Sequence, residues 1–286
     1  MNVRMWLHKA TQTNFKILQD FGYLFSGPEK GEMACGEYGE GKMSSPRQIY
    51  AYLKNYFYKR NLVKKKQFKA LVTAGPTREY LDPVRYVSNE SSGKQGYELA
   101  CALNKLGIKT TLIIGPSNLA NQKDIKTKRV VTADEMFEEV KKSLPVDVAV
   151  CTAAVSDFKP INKSKNKLKK GSSNYVSFKL EKNKDILEYL GKNNKYRPKL
   201  VIGFSAESQN INKNSIIKMR KKNCDLMIGN DISKKDIGFN SDYNQVSIID
   251  DNANVRTIKK NKKSFIANKI AEVILDKLLA DDRNFN

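Results

Sequence analysis

From Phe68 onward, short apolar runs alternate with segments whose apolar residues fall at helical spacing. This alternation restricts the fold more than any other feature of the chain. KALVTAG (Lys69 to Gly75) is a short apolar run closed by Gly-Pro, the pattern of a buried strand. GYELACALNKLG (Gly96 to Gly107) has a helical face and ends on a glycine suited to a C-cap. KTTLIIGP (Lys109 to Pro116), DVAVCTAAV (Asp147 to Val155), KLVIGFSAE (Lys199 to Glu207), DLMIGND (Asp225 to Asp231) and QVSIIDD (Gln245 to Asp251) read as further strands. ADEMFEEVKKSL (Ala133 to Leu144), NSIIKMRKKN (Asn214 to Asn223) and KSFIANKIAEVILDKLL (Lys263 to Leu279) read as helices. The first of these carries its acids early and its lysines late, which suits the helix dipole. The pattern predicts an α/β fold on a doubly wound, mainly parallel sheet with helices on both faces.

Ligands of such sheets bind at the carboxyl ends of the strands. Here those ends are Gly75-Pro76-Thr77, Thr152 to Asp157, Gly203 to Glu207 and Gly229 to Asp231, all small or polar. The first end opens into a long polar loop, and the next helix starts at Ser91-Ser92-Gly93-Lys94. The glycine pattern of a dinucleotide fold is missing, which argues against a nicotinamide oxidoreductase. A helix start of this kind presents free N–H groups to an anion, and the loop before it is long enough to cover a ligand.

Residues 1–58 do not follow the alternation. GPEKGEMACGEYGEGKM reads as a long glycine-rich loop without a clear strand. The basic segment 59–67 reads as a linker to a domain spanning 68–281.

The 286 residues are 40% hydrophobic, enough for one sizeable core with a smaller attachment. No apolar run approaches the ~20 residues of a membrane span, and the first residues have no signal-peptide character. These features predict a cytoplasmic protein with no membrane partner. Cys35, Cys101, Cys151 and Cys224 lie far apart, so structural zinc is not expected. His8 is the only histidine, which excludes multi-histidine metal sites. The net charge of +22 leaves three partners open: nucleic acid, an anionic surface, or polyanionic small substrates. Its lysines are mostly scattered, apart from runs at 59–69 and 163–170, and few aromatics are interleaved with them. That pattern counts against nucleic-acid binding by stacking.

The stretch TAGPTREYLDPVRYVSNESSGKQG, followed in order by AAVSDF, KLKK, GFSAES and GND, resembles the phosphopantothenoylcysteine synthetase family. This family is the ligase half of bacterial bifunctional coenzyme A biosynthesis proteins. The resemblance covers residues 68 to 281 and implies a Rossmann-like fold. It also implies joining of 4'-phosphopantothenate to L-cysteine with CTP and Mg2+, through an acyl-cytidylate, in a homodimer. By the same resemblance, Asn89 bonds the acyl-cytidylate, with Arg85 in the same loop. Lys167 is a flap lysine on the triphosphate. CTP contacts are implied for Gly75, Ala153, Asp157, Asn183, Asp185, Ile186, Phe204, Lys218 and Lys222. The family's Asn-Pro-Asp-Ile stands here as Asn183-Lys184-Asp185-Ile186, without the proline.

MNVRMWLHKATQ and ACGEYGEGKM resemble the C-terminal part of the FMN-dependent phosphopantothenoylcysteine decarboxylase family. The resemblance makes Asn2 a substrate-carboxylate ligand and Cys35 a proton donor. It implies that 1–58 is an incomplete flavoprotein segment, from a fragment or an internal start. Decarboxylation by this chain alone is not expected.

Overall fold

The structure is a computed structural model that describes residues 1–169, 177–192, 195–233 and 241–281. Lys170, the last lysine of the 163–170 run, lies outside the described residues. The chain divides into two compact units, Met1–Lys66 and Gln67–Asn286.

The smaller unit runs α1 (Val3–Leu7), α2 (Lys9–Asp20), β1 (Glu29–Glu32), β2 (Tyr38–Lys42) and α3 (Pro46–Lys66). Its aromatic centre stacks Phe15 between Trp6 and Phe25, with ring centroids 5.2 and 4.4 Å apart. The glycine-rich stretch expected to be a loop is an antiparallel hairpin, pairing Glu32 with Tyr38 and Gly31 with Gly39. The reason lies in its alternation: Tyr38, Glu40 and Lys42 face outward while Gly39 and Gly41 are buried between them. Glycine takes the inward place that an apolar residue usually fills, so a count of apolar residues overlooks the period. The basic segment 59–67 is helical as far as Lys66, where it forms the end of α3.

The larger unit continues with β3 (Lys69–Ala74), β4 (Arg78–Tyr80), β5 (Tyr86–Ser88), α4 (Lys94–Lys105), β6 (Lys109–Ile114), β7 (Lys126–Arg129) and α5 (Ala133–Ser143). There follow β8 (Val148–Cys151), β9 (Phe158–Pro160), β10 (Leu180–Lys182), α6 (Ile186–Lys192), β11 (Leu200–Glu207) and α7 (Ile211–Lys222). The unit closes with β12 (Leu226–Asp231), β13 (Tyr243–Asp250), β14 (Val255–Lys262) and α8 (Lys263–Asp281). Among the described residues the main sheet has eight strands in the order β14-β13-β12-β11-β8-β3-β6-β7. The six from β12 to β7 are parallel, as expected for a Rossmann-like α/β fold.

Two features depart from simple alternation. β13 runs antiparallel to β12, and β14, a strand the sequence did not point to, pairs antiparallel with β13 at the edge. β14 reads VRTIKKNK and is largely exposed, so its apolar content is low. Lysines on a free edge discourage pairing with another chain.

The core lies on both faces of the sheet. Leu71, Ile113, Ala149, Val201 and Met227 point to one face and pack against Met136 and Val140 of α5, Leu190 of α6 and Met219 of α7. On the other face, α4 and α8 pack on one another and α4 lies over β3. Leu99, Leu103, Ile266, Ile270 and Ile274 are fully buried there. Two doubly packed faces hold the strand ends rigidly, and those ends carry the site.

A candidate ligand cup at the strand ends

Helix α4 can start at the sheet only because two of its residues lack side chains. Gly93, its N-cap, has φ 73° and sits so close to β3 that a Cβ would come 3.1 Å from the Gly75 Cα. At Gly96 a Cβ would collide with Thr152 Oγ1 and lie 2.7 Å from the Ala74 Cβ. The SSGKQG motif therefore places the helix start beside the carboxyl ends of β3 and β8. At the helix start Gly93 N donates to Ser91 Oγ at 3.3 Å and Lys94 N to Ser92 Oγ at 3.4 Å.

Above these ends lies a cavity of about 560 Å³. α6 and α7 supply one wall through Ile186, Leu187 and Lys218. α4 and α8 supply the other through Lys94, Gln95 and Lys263. Of the residues named from sequence, Asn89, Ala153, Asp157, Asn183, Asp185, Ile186, Phe204 and Lys218 line this one cavity. They come from five separate stretches of the chain.

Their bonds are specific. Asn89 Nδ2 donates to Val155 O at 3.0 Å and Ala154 O at 3.4 Å, which ties the β5–α4 loop to the loop after β8. Asn183 Nδ2 donates to Ser156 O at 2.8 Å. Its Oδ1 is buried with no hydrogen-bond partner, an open acceptor in the cup. Lys218 Nζ donates to Phe204 O at 3.2 Å. Asp157 is exposed on the rim. Asp185 Oδ1 accepts from Glu188 N at 2.8 Å, and its Oδ2 pairs with Lys222 Nζ.

Other expected residues stand elsewhere. Gly75 lies behind the lining, against Gly93. Lys222 is outside the lining and bonds Glu188 Oε2 at 2.6 Å as well as Asp185. Lys167 is exposed and outside the lining. Its neighbour Leu168 is docked instead: Leu168 N donates to Asp82 Oδ2 at 3.1 Å and Leu168 O accepts from Arg85 Nη2 at 3.2 Å. Asp82 is fully buried and also accepts from Val84 N and Arg85 N, both at 2.7 Å. Burial pushes its carboxyl up, but the N–H groups of Val84, Arg85 and Leu168 outweigh this and hold it below the ordinary value. In the smaller unit, Asn2 Oδ1 caps α1 by accepting from Met5 N at 2.8 Å, and Cys35 is exposed in the hairpin turn.

Sequence reasoning did not name Lys94, Gln95, Asn230, Asn244 and Lys263, which also line the cup. Lys94 and Gln95 stand inside SSGKQG, so a signal was present. Lys263 read as the first residue of an amphipathic helix. It is only 3% exposed, and burial first, then the nearby Lys94 ammonium, bring it down to about 8.

Among the described residues no group of three His, Cys, Asp or Glu could hold a metal ion. A hard cation here would depend on oxygens of a bound ligand, with Asp157 as the carboxylate on the rim.

Residues 65–278 match the family described as the DNA/pantothenate metabolism flavoprotein C-terminal domain, and residues 1–57 match the flavoprotein family. The coenzyme A biosynthesis bifunctional protein CoaBC of Haemophilus influenzae is 36% identical over 275 residues, covering 96% of this chain and 68% of that protein. The protein of the same name from Vibrio cholerae is 38% identical over 250 residues, covering 87% of this chain and 62% of that one. The chain thus spans about two thirds of the length of these relatives. A crystal structure of the C-terminal domain of a coenzyme A biosynthesis bifunctional protein CoaBC superposes with a TM-score of 0.61 at 33% identity, covering 74% of this chain and 96% of that one.

Proposed function

The chain belongs to the DNA/pantothenate metabolism flavoprotein family of coenzyme A biosynthesis, and from that premise we propose that its larger unit is a CTP-dependent phosphopantothenate–cysteine ligase. One observation carries the reading: eight residues named from separated motifs line one cavity at the strand ends.

The chemistry needs no side-chain nucleophile. The carboxylate of 4'-phosphopantothenate attacks the α-phosphorus of CTP, forming a P–O bond as the bond to pyrophosphate breaks. The amine of L-cysteine then attacks the acyl carbon, C–N forms, CMP leaves and the amine proton passes to solvent. What the protein must do is hold several anions close together and in line. Lys218, fixed by the Phe204 carbonyl, brings an ammonium to the cup. Asn89 pins the loop after β8 against the start of α4, so the reacting groups meet a rigid floor. The open Asn183 Oδ1 and the Asp157 carboxylate are acceptors suited to the amino group of a nucleobase. Mg2+, for which Asp157 is a carboxylate on the rim, would supply charge neutralisation. Lys167 would act only if the segment around Leu168 moved from its docked place.

The smaller unit does not fit FMN. It consists of three helices and one hairpin, and its turn from β2 into α3 is closed by bonds between Ser45 and Gln48. Asn2 is engaged as a helix cap. We therefore assign it no flavin step, and release of carbon dioxide from phosphopantothenoylcysteine by this chain alone would overturn that assignment. Among the described residues no helix is long and apolar enough to cross a membrane. The partners are small molecules, and a homodimer is part of the proposal, testable by sedimentation.

Pyrophosphate release from CTP and from ATP, with 4'-phosphopantothenate and with or without cysteine, tests the ligase reading. Release that requires the acid but not cysteine supports it. Release from neither nucleotide refutes it.

A further inference from the structure

Asn89 follows β5 and Asp157 lies in the loop after β8, so the ladders of the main sheet hold neither residue directly. What joins their two loops is Thr77, which is fully buried and lies outside the lining of the cavity. Its carbonyl accepts from Ser88 Oγ at 2.8 Å, immediately before Asn89. Its Oγ1 accepts from Ser156 N at 3.0 Å, immediately before Asp157. Asn89 Nδ2 in turn donates to Val155 O. These three hydrogen bonds close a ring that runs from Thr77 through Ser88, Asn89, Val155 and Ser156 back to Thr77. The ring extends to the loop after β10. Ser156 O accepts from Asn183 Nδ2 at 2.8 Å, and Asp157 O accepts from Asn183 N at 2.9 Å.

The side chain at position 77 decides whether this ring closes. Any residue there would offer the carbonyl to Ser88, but the acceptor for Ser156 N is the threonine hydroxyl. Ser156 is only 4% exposed, and a buried N–H without a partner is rarely tolerated. Without the hydroxyl, the loop after β8 would have to shift to find another acceptor. The shift would carry Asp157 and Asn183 out of line with Asn89. A misplacement of about 1 Å, caused by a residue remote from the chemistry, costs about a hundredfold in rate.

We propose that Thr77 is a positioning residue of the ligase reaction, which keeps Asn89 in register with Asp157 and Asn183 so that one acyl-nucleotide intermediate meets all three. This rests on the ligase reading. Thr77 lines no part of the cavity, so its loss should appear in turnover and not in the binding of either substrate.

The test is steady-state and rapid-quench kinetics of the full chain with CTP, 4'-phosphopantothenate and L-cysteine. Thr77→Val keeps the size of the side chain and removes the acceptor. It is expected to lower kcat by about ten- to hundredfold and to let the acyl-cytidylate accumulate. KM for CTP and for the acid should each move by less than about threefold. Thr77→Ser keeps the oxygen and should restore most of the turnover. Ser88→Ala opens the ring on its other arm and should act as Thr77→Val does. In an Asn89→Ala background it should cost little more, because the ring acts through Asn89. A Thr77→Ser protein as impaired as Thr77→Val would mean that the acceptor is not what matters, and the proposal falls. It also falls if KM rises at unaltered kcat, or if the losses from Ser88→Ala and Asn89→Ala multiply. Should Thr77→Val fail to fold, Ser88→Ala, at a half-buried residue, decides through that double variant. Failure of the unaltered protein to release pyrophosphate refutes the ligase reading itself. An active protein whose variants keep full turnover refutes the role of Thr77 alone.

Discussion

The ammonium of Lys222 lies 2.8 Å from the carboxylate of Asp185, which lines the cup while Lys222 does not. Glu188 completes the cluster at 2.6 Å. Lys222 therefore fastens α7 to the start of α6 and sets Asp185 in place. Lys222→Met should lower stability by about 1–3 kcal/mol, the cost of unpairing partly buried charges, seen as a lower urea midpoint. A direct phosphate contact would instead raise KM for CTP and leave the midpoint unchanged.

The same cluster gives a pH dependence. Hydrogen bonds from Lys192 and then Lys222 hold the Glu188 carboxyl at about 2, below its ordinary 4.5. A depressed folded value means that the unfolded chain takes up the proton first as pH falls. The stabilisation is complete above about 4.5 and is lost as pH falls toward about 2. Glu188→Gln should flatten the acid limb of the unfolding profile between these values and leave the neutral limb's slope alone.

Asn89 joins two loops through Val155 and Ala154 carbonyls. Asn89→Ala should let the acyl-cytidylate form but slow its conversion by about a hundredfold, as for loss of one positioned donor. Rapid-quench analysis would show the intermediate accumulating. Unaltered turnover would remove Asn89 from the mechanism.

Asp82 accepts three backbone N–H groups and lies 3.5 Å from the Arg85 guanidinium. Asp82→Asn keeps the shape but removes the charge, at a cost of about 2–3 kcal/mol. Trypsin should then cut at Lys163 to Lys169 faster than in the unaltered protein. An equal rate would mean that the segment is held by other contacts.

Much of the larger unit was legible because its parallel strands are buried on both faces, as in KALVTAG and KLVIGFSAE. β14 was not, because an exposed edge strand such as VRTIKKNK has no apolar requirement to display. The hairpin β1–β2 was hidden by glycines in the inward places. Within the cup, residues next to small strand ends or in motifs were found, including Asn89, Asp157 and Lys218. Lys263 escaped, since only the packing of α8 on α4 shows that this lysine, among many, is buried. Lys222 stands one helical turn from Lys218, yet the two part company once α6 presents its acids. Spacing along a helix gives a shared face but not the partner across from it.

Gly93 lies with its backbone directly on that of Gly75 where α4 meets the sheet, and Gly96 lies against the short side chains of Thr152 and Ala74. No long side chain lies in those gaps to be compressed or stretched. The start of α4 is consequently held stiffly against the ends of β3 and β8, and the floor on which acid and nucleotide meet has little give. Homologues of the acid one methylene longer or shorter should lose turnover rate more than binding, because that floor cannot follow them.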